Sequence, residues 1–256
     1  MIYGLYLSAT GVLTNSYRQD VIANNLANAE TVGFKKDLAT FMQRPTEAQA
    51  RGLGMNASNP ILEKMGGGLF AAPTSVDLSQ GDLEETRNNL DAAIHGSGFF
   101  TVQDKDQTRL TRDGRFMLNR EGNLVLQGGQ RALDVNGKPI TLDPNIPASK
   151  IAIGPRGEIM QKGVFVAQLA VVDVPNPKLL TKHGGGMLDY PNLTKATREA
   201  TGAQVRGGFN ERANVEPATE LTQLMDAQRQ LEANANMIRY QDQTLQRLCN
   251  DVGKIS

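Results

Sequence analysis

PATELTQLMDAQRQLEANANMIRYQDQTLQRLCNDV, residues 217–252, carries the repeat that decides the fold. Leu224, Leu231, Ile238, Leu245 and Val252 recur every seven residues and form one wholly apolar row. A second row in the same frame, Leu221, Gln228, Ala235, Asp242 and Cys249, is mixed. Steps that alternate three and four along a 3.6-residue helix leave a narrow apolar seam. Pro217 suits a first helical turn, and Glu216 and Glu220 complement the helix dipole there. At 1.5 Å per residue such a helix is roughly 54 Å long. A seam of two positions leaves one helix unsatisfied in water, so this stretch calls for a partner.

The other end of the chain supplies one. Ile2, Leu5, Ala9, Val12, Ser16, Gln19, Ala23 and Leu26 follow the same three-four alternation, softened in the middle by Ser16 and Gln19. This helix is roughly 40 Å long. The economical arrangement pairs the two terminal helices as a coiled coil. The N-terminal helix ends in VIANNLANAETVGFKK, residues 21–36, with Asn24, Asn25 and Asn28 crowded into its last turns. Asparagine is poor in a helix interior because its amide competes for backbone hydrogen bonds. Two readings stand: the amides meet other helices and fix register, or Asn28 caps the helix and the others are solvated. In the first, Ala23 and Leu26 lie in the intrachain seam, and the asparagine face turns towards a neighbouring subunit. Gly33 then allows a sharp turn, and Lys35 and Lys36 lead out to solvent or an acidic neighbour.

Between the helices the texture changes. Residues 88–175 alternate short β-type runs, such as GFFTV, GNLVL and GVFVAQLAVVDV, with turn signals. Asp113-Gly114 and Asn136-Gly137 are tight-turn pairs. These runs predict an antiparallel β-domain whose apolar residues include Phe99, Phe100, Val102, Phe116, Leu118, Leu124, Val125, Ile151, Ile153, Val164, Val166 and Leu169. The whole is an α+β fold: terminal helices over 1–42 and 210–256, an extended connector over 43–74, and a central β-domain over 75–209, the stretch from about 75 to 205 folding alone.

Composition narrows the function. Lysine plus arginine and aspartate plus glutamate both number 27, which argues against nucleic acid as the main partner. No apolar run approaches the length of a membrane span, and no secretory signal peptide is visible. The single cysteine, Cys249, excludes an intrachain disulfide, and tryptophan is absent.

Three separated stretches carry a resemblance. DVIANNLANAETVGFK, then LDAAIHGSGFFTV followed by LTRDGRFMLNREGNLV, and finally RANVEPATELTQLMDAQRQLEANANMIRYQDQTLQRL are similar, in this order, to the bacterial flagellar rod and hook (axial) proteins. The resemblance implies terminal helices at the inner radius of a tubular filament with β-domains outside. It implies partners that are copies of the chain, other axial proteins of rod and hook, and the flagellar export apparatus. It also implies a place in the periplasmic rod of the basal body, reached without a cleaved signal. The chain is short for a hook protein. Residues 43–70 lack the threonine- and glycine-rich pattern associated with the distal rod protein, which favours a proximal-rod subunit over a distal one.

Enzymatic constellations are weak. His95 and His183 show no metal-ligand spacing, Cys249 sits in the heptad frame as a small filler, and GSGFF lacks the nucleophile-elbow pattern. RLTRDGR, residues 109–115, reads as a polar hairpin surface. A β-rich module that binds cell-wall glycan is the alternative of another class, but the β-region has few aromatics on which to stack sugars. The reading is therefore a structural subunit with no cofactor, no metal, no nucleic acid and no membrane insertion. Its candidate assembly residues are Asn24, Asn25, Leu26, Asn28, Gly33, Phe34, Leu221, Leu224, Gln228, Leu231, Ala235, Ile238 and Leu245.

Overall fold

The computed structural model describes residues 2–43, 68–191, 193, 198–200 and 202–252. The chain divides into two compact units: Met1–Leu26, Asp37–Ser75 and Pro217–Ser256 form one, and Ala27–Lys36 with Val76–Glu216 form the other. Residues 27–36, which the sequence groups with the N-terminal helix, thus belong with the β-rich unit.

The first unit contains α1 (Ile2–Ala27), β1 (Asp37–Gln43), β2 (Leu69–Val76) and, at the far end of the chain, α2 (Pro217–Val252). β1 and β2 pair as a two-stranded sheet, so the expected connector is strand at both ends. Its middle, residues 44–67, lies outside the described residues. Tyr17 braces this ribbon, donating its hydroxyl to Ala72 O at 3.1 Å and meeting Phe41 edge-on at a 6.2 Å centroid distance.

α1 and α2 touch through glycine notches. A Cβ added to Gly4 would stand 2.8 Å from Gln241 Nε2, and one on Gly11 would stand 2.7 Å from Asn234 Nδ2. Residue numbers rise along one helix as they fall along the other, so the two run antiparallel. Each notch recurs after seven residues, and so does the amide that fills it. This contact selects the phase of the seam. In α2 the apolar row Leu224, Leu231, Ile238 and Leu245 is half-buried as read from the sequence, but its companion row is Ala227, Asn234 and Gln241. Leu221, Gln228, Asp242 and Cys249 are exposed. A three-four alternation can be completed on either side of an apolar row. The side chosen offers small and amide side chains to the glycines, which brings the backbones closer than Leu221 or Asp242 would permit. α1 differs likewise: Ser8, Thr14, Val21, Ile22 and Asn25 are buried, whereas Ala23 is exposed.

The second unit is antiparallel β throughout its paired strands. Its strands are β3 (Leu83–Glu85), β4 (Ala92–His95), β5 (Phe99–Asp104), β6 (Gln107–Thr111), β7 (Phe116–Leu118), β8 (Leu124–Leu126), β9 (Arg131–Ala132), β10 (Ile151–Ile153), β11 (Glu158–Gln161), β12 (Val164–Gln168), β13 (Val171–Asp173), β14 (Thr181–Gly184), β15 (Met187–Asp189), β16 (Arg198–Glu199), β17 (Gln204–Gly207) and β18 (Phe209–Glu211). The largest sheet runs β14-β15-β6-β5-β9-β8-β7, with β13 on β5 and β16 on β13. β10-β11-β12 form a second sheet, and β4–β17 and β3–β18 are short pairs.

Successive side chains of a strand point to opposite faces. Phe99 and Phe100 use that rule to seed two cores. Phe100 packs with Val102, Phe116, Leu124, Ile151, Ile159 and Leu169, whereas Phe99 packs with Leu110, Val174, Leu180 and Leu188. Phe100 meets Phe116 edge-on at 5.4 Å. Most of the apolar residues expected inside are there, but Val164 and Val166 are exposed. They lie on β12, an outer strand, where apolar character does not guarantee a partner face. Thr111, Arg112 and Asp113, read as part of a polar hairpin surface, are buried. Among the described residues no helix is long and apolar enough to cross a membrane.

Candidate functional site

The segment that leaves α1 builds a tightly constrained site. Asn25 starts it from the helical unit: its Nδ2 donates to Asp37 O at 2.9 Å and its Oδ1 accepts from Asp37 N at 2.8 Å. A buried amide thus completes the backbone of the first β1 residue, as a neighbouring strand would.

The chain then turns at Asn28–Thr31, with Thr31 N donating to Asn28 O at 3.0 Å. At Gly33 it adopts φ +70°, and Gly33 N donates to Glu211 O at 2.7 Å. A Cβ there would stand 2.4 Å from Asp113 N and 2.5 Å from Arg112 C, so no other residue fits without displacing backbone. Phe34 closes a small cluster with Ala29 and Val215, and Lys182 Nζ stands 3.8 Å from its ring centroid.

Past this turn Lys35 is driven inward to a carboxylate of its own chain, where the expectation was solvent or an acidic neighbour. Lys35, Arg112 and Glu211 are 3, 4 and 0 % exposed. Lys35 Nζ donates to Glu211 Oε1 at 2.5 Å and to Ser79 O at 2.7 Å. Arg112 Nη1 donates to Glu211 Oε2 at 2.9 Å, and Nη2 donates to Gly96 O at 2.8 Å. Gly81 N adds a third donor to the carboxylate at 3.0 Å. Each carboxylate oxygen therefore holds one cation, and Arg112 also lies over the Phe99 ring at 5.2 Å. Burying three ions is costly unless each is paired and hydrogen-bonded. Here two cations share one carboxylate, and the buried Arg112 Nε has no hydrogen-bond partner among the described residues. Burial pushes the Lys35 ammonium below its ordinary value of 10.5; Glu211 holds it up in part, and Arg112 adds to the lowering.

Next to this clasp, Asn214 laces together three of the four segments through which the chain passes to and from the helical unit. Its Oδ1 accepts from Lys36 N at 2.7 Å, its own N donates to Phe34 O at 3.3 Å, and its Nδ2 donates to Asp77 O at 2.9 Å. Lys36 Nζ stands 3.5 Å from Asp77 Oδ2. Burial alone would raise the Asp77 carboxyl, but donors from Ser79 and the Lys36 charge outweigh it and hold the group below the usual carboxylate value.

Of the residues singled out in the sequence, Asn25, Gly33 and Phe34 are buried within the subunit. Leu26, Asn28, Leu224, Leu231, Ala235, Ile238 and Leu245 are half-buried, and Asn24, Leu221 and Gln228 are exposed. In the sequence Lys35 reads only as leading outward and Arg112 only as part of a polar hairpin surface, and Glu211 and Asn214 are not singled out. Lys35, Arg112 and Asn214 lie in the quoted stretches, but Glu211 lies one residue before the third, and a charge carries no mark of its distant partner. Large apolar side chains also stand on the surface of the helical unit: Tyr6, Leu7 and Leu13 on α1, and Leu221, Met225, Met237, Tyr240 and Leu248 on α2. Those on α2 lie outside its half-buried row.

The chain thus combines two long helices that touch through glycine notches with a β unit that holds a buried ionic clasp. Comparisons with known proteins give its family. Residues 5–35 match the model of the flagella basal body rod protein, residues 93–161 that of the flagellar hook protein FlgE/F/G D1 domain, and residues 206–250 that of the flagellar basal body rod FlgEFG protein C-terminal region. The chain is 33% identical over 256 residues to the flagellar basal-body rod protein FlgF of Caulobacter vibrioides, covering 98% of both chains. It is 31% identical over 265 residues to the flagellar basal-body rod protein FlgG of Bacillus subtilis, covering 98% of this chain and 99% of that one. The chain belongs to the flagellar basal-body rod protein family, whose members are structural subunits and not enzymes. Each of the three matched segments contributes one ion to the clasp: Lys35, Arg112 and Glu211.

Proposed function

We propose that the chain is a proximal-rod subunit that assembles into a helical tubular shaft, with α1 and α2 pairing as a coiled coil and their remaining surface taken by helices of neighbouring copies. The observation that carries this reading is the clasp. Load taken up by the helices reaches the β unit through residues 26–27, 36–37, 75–76 and 216–217, and Lys35, Glu211 and Asn214 anchor the chain beside the last three of these passages. A subunit that transmits torque needs its passages rigid, and a desolvated ionic cluster with fixed geometry supplies rigidity that apolar packing alone does not. The outward Leu221, Met225, Met237 and Tyr240 supply apolar surface for neighbours, and a head-to-tail contact that does not close extends as a filament. The proximal assignment rests on residues 43–70, which lack a threonine- and glycine-rich pattern. Delivery through the flagellar export apparatus and a periplasmic location belong to the same reading.

The test is replacement of Leu221 and Met225 together by aspartate, with basal bodies isolated and motility scored. The pair lies outside the half-buried row, so the subunit keeps its fold while the shaft fails to extend. Full motility with normal basal bodies overturns the helix-to-neighbour assignment.

A further inference from the structure

Asn136-Gly137 is the only asparagine–glycine pair in the chain. It sits at the tip of the turn that follows β9, and both residues are exposed. Gly137 N donates to Asp134 O at 2.9 Å, and Asp134 N donates to Lys138 O at 2.8 Å. Val135 and Asn136 keep negative φ and Gly137 has φ +75°, as in a type I turn closed by a glycine bulge. The turn is tied to the core of the β unit. Val135 N donates to Gln168 O at 3.3 Å, and Asp134 bridges to the buried Leu169.

An asparagine that precedes glycine carries a reaction within itself. The glycine nitrogen can reach the asparagine Cγ, and without a Cβ nothing shields that nitrogen or restricts its approach. Gly137 N attacks Asn136 Cγ, so an N–Cγ bond forms and the Cγ–Nδ2 bond breaks. Nδ2 leaves as ammonia and takes the proton from Gly137 N. Water then opens the five-membered imide at either carbonyl, to aspartate or to isoaspartate. The net change is ammonia lost and water gained, with no oxidation or reduction. Asp113-Gly114 is the only aspartate–glycine pair and could close the same ring with loss of water. Both of its residues are buried, and Arg115 Nε and Nη2 hold the Asp113 carboxylate at 3.0 and 2.8 Å. Gly114 packs too closely on Ala92 O to admit even a Cβ, so that pair is immobilised.

We propose that Asn136 is the site at which this chain deamidates, and that Asp134 sets the rate. Asp134 engages both reacting groups. Its Oδ2 accepts from Asn136 Nδ2, the leaving group, at 3.2 Å, and its carbonyl accepts from Gly137 N, the nucleophile. Its Oδ1 accepts from Asn136 N at 2.9 Å and from Lys138 N at 2.7 Å. Ring closure therefore waits for the turn to open locally. Burial alone would raise the Asp134 carboxyl, but donors from Lys138 and Asn136 outweigh it and hold the group below the usual carboxylate value. The clamp thus stays charged at neutral pH. The product undoes it. A second carboxylate stands where Nδ2 donated, and isoaspartate lengthens the main chain between Asp134 and Lys138. The turn then loosens its hold on Gln168, and the chain has no means to reverse the change, so the mark accumulates with the age of the subunit.

The experiment incubates the purified full chain at mildly alkaline pH and follows its peptides by mass spectrometry, with isoaspartate separated from aspartate by chromatography. The peptide that holds Asn136 is expected to gain the mass of the exchange before any other asparagine peptide, while the Asp113 peptide stays free of isoaspartate. Asp134→Ala is expected to speed the reaction about tenfold, the change that loss of one charge-assisted hydrogen bond makes in an opening equilibrium. Asp134→Asn keeps a side-chain acceptor for the backbone amides and should fall between the two. Gly137→Ala, where a Cβ meets nothing within 4 Å, should suppress the reaction without unfolding the chain, as melting curves of all variants check. Faster modification at another asparagine, or an undiminished rate in Gly137→Ala, overturns the site. An equal rate in Asp134→Ala and the natural chain overturns the role of Asp134.

Discussion

Lys35 Nζ lies 2.5 Å from Glu211 Oε1, across 176 residues of sequence, with both side chains shut away from water. Removing one partner of such a pair costs far more than the pair contributes, because the survivor stays buried and unpaired. Glu211→Gln leaves Lys35 and Arg112 without a counter-charge. It is expected to destabilise the β unit by about 3–5 kcal/mol, read from urea unfolding. A loss under about 1 kcal/mol would mean that water relaxes the cluster.

The same lysine gives stability a pH dependence. Its folded-state value is lowered from 10.5, so between the two values the unfolded chain binds the proton that the folded chain does not. Stability therefore rises with pH through that window below 10.5, and the Lys35 contribution is least favourable below it, where both states are protonated. Unfolding free energy, compared between the natural chain and Lys35→Met from pH 8 upward, is expected to move in favour of the natural chain as pH rises. The opposite trend would show that the Glu211 attraction outweighs burial.

Gly33→Ala and Gly163→Ala separate a clash from a conformational cost. Both glycines have positive φ, but a Cβ on Gly163 meets nothing within 4 Å. Gly163→Ala is expected to cost about 1 kcal/mol. Gly33→Ala also pushes on the backbone of Arg112 and Asp113, and more than about 2 kcal/mol is expected. Equal melting shifts for the two would show that the backbone at 112–113 yields freely.

Neighbouring asparagines are expected to part company. Asn25→Ala strips partners from both Asp37 N and Asp37 O and should cost about 1–3 kcal/mol of subunit stability. Asn24 is exposed, so Asn24→Ala should lower the melting temperature less than Asn25→Ala does. Equal losses for the two variants would show that burial does not separate them.

Ile238→Asp places a charge in the half-buried row of α2, whereas a charge at Gln228 stays in water. Amide exchange of α1 and α2 should accelerate in Ile238→Asp and stay unchanged in Gln228→Asp. Fast exchange throughout both helices in the natural chain at low concentration would instead mean that they order only on assembly.

The sevenfold row from Leu224 to Leu245 was legible because no other structure explains that spacing, and Phe99-Phe100 was legible because two adjacent aromatics in a strand need two cores. The second row was not, since Ala227 and Gln228 both continue a three-four alternation and only the glycines of α1 decide between them. Lys35, Arg112 and Glu211 were illegible for another reason: charged residues are on the surface by default, and each becomes an interior group only through partners far away in sequence. Val164 and Val166 misled in the reverse direction, because an apolar run predicts a strand but does not say whether anything lies beyond its edge.

Gly33, Lys35, Phe34 and Lys36 wait on residues 211 to 215 for their partners, so the β unit closes around one of its earliest segments with one of its last. A ribosome releases the N-terminus first. Until Glu211 emerges, Lys35 has no counter-ion, Arg112 is missing the same carboxylate, and the loop still to be closed spans most of the polypeptide. Contact order this high delays consolidation, whatever the local strands achieve on their own. The ionic cluster around Glu211 can therefore close only after residue 211 has left the ribosome, late in the synthesis of the chain.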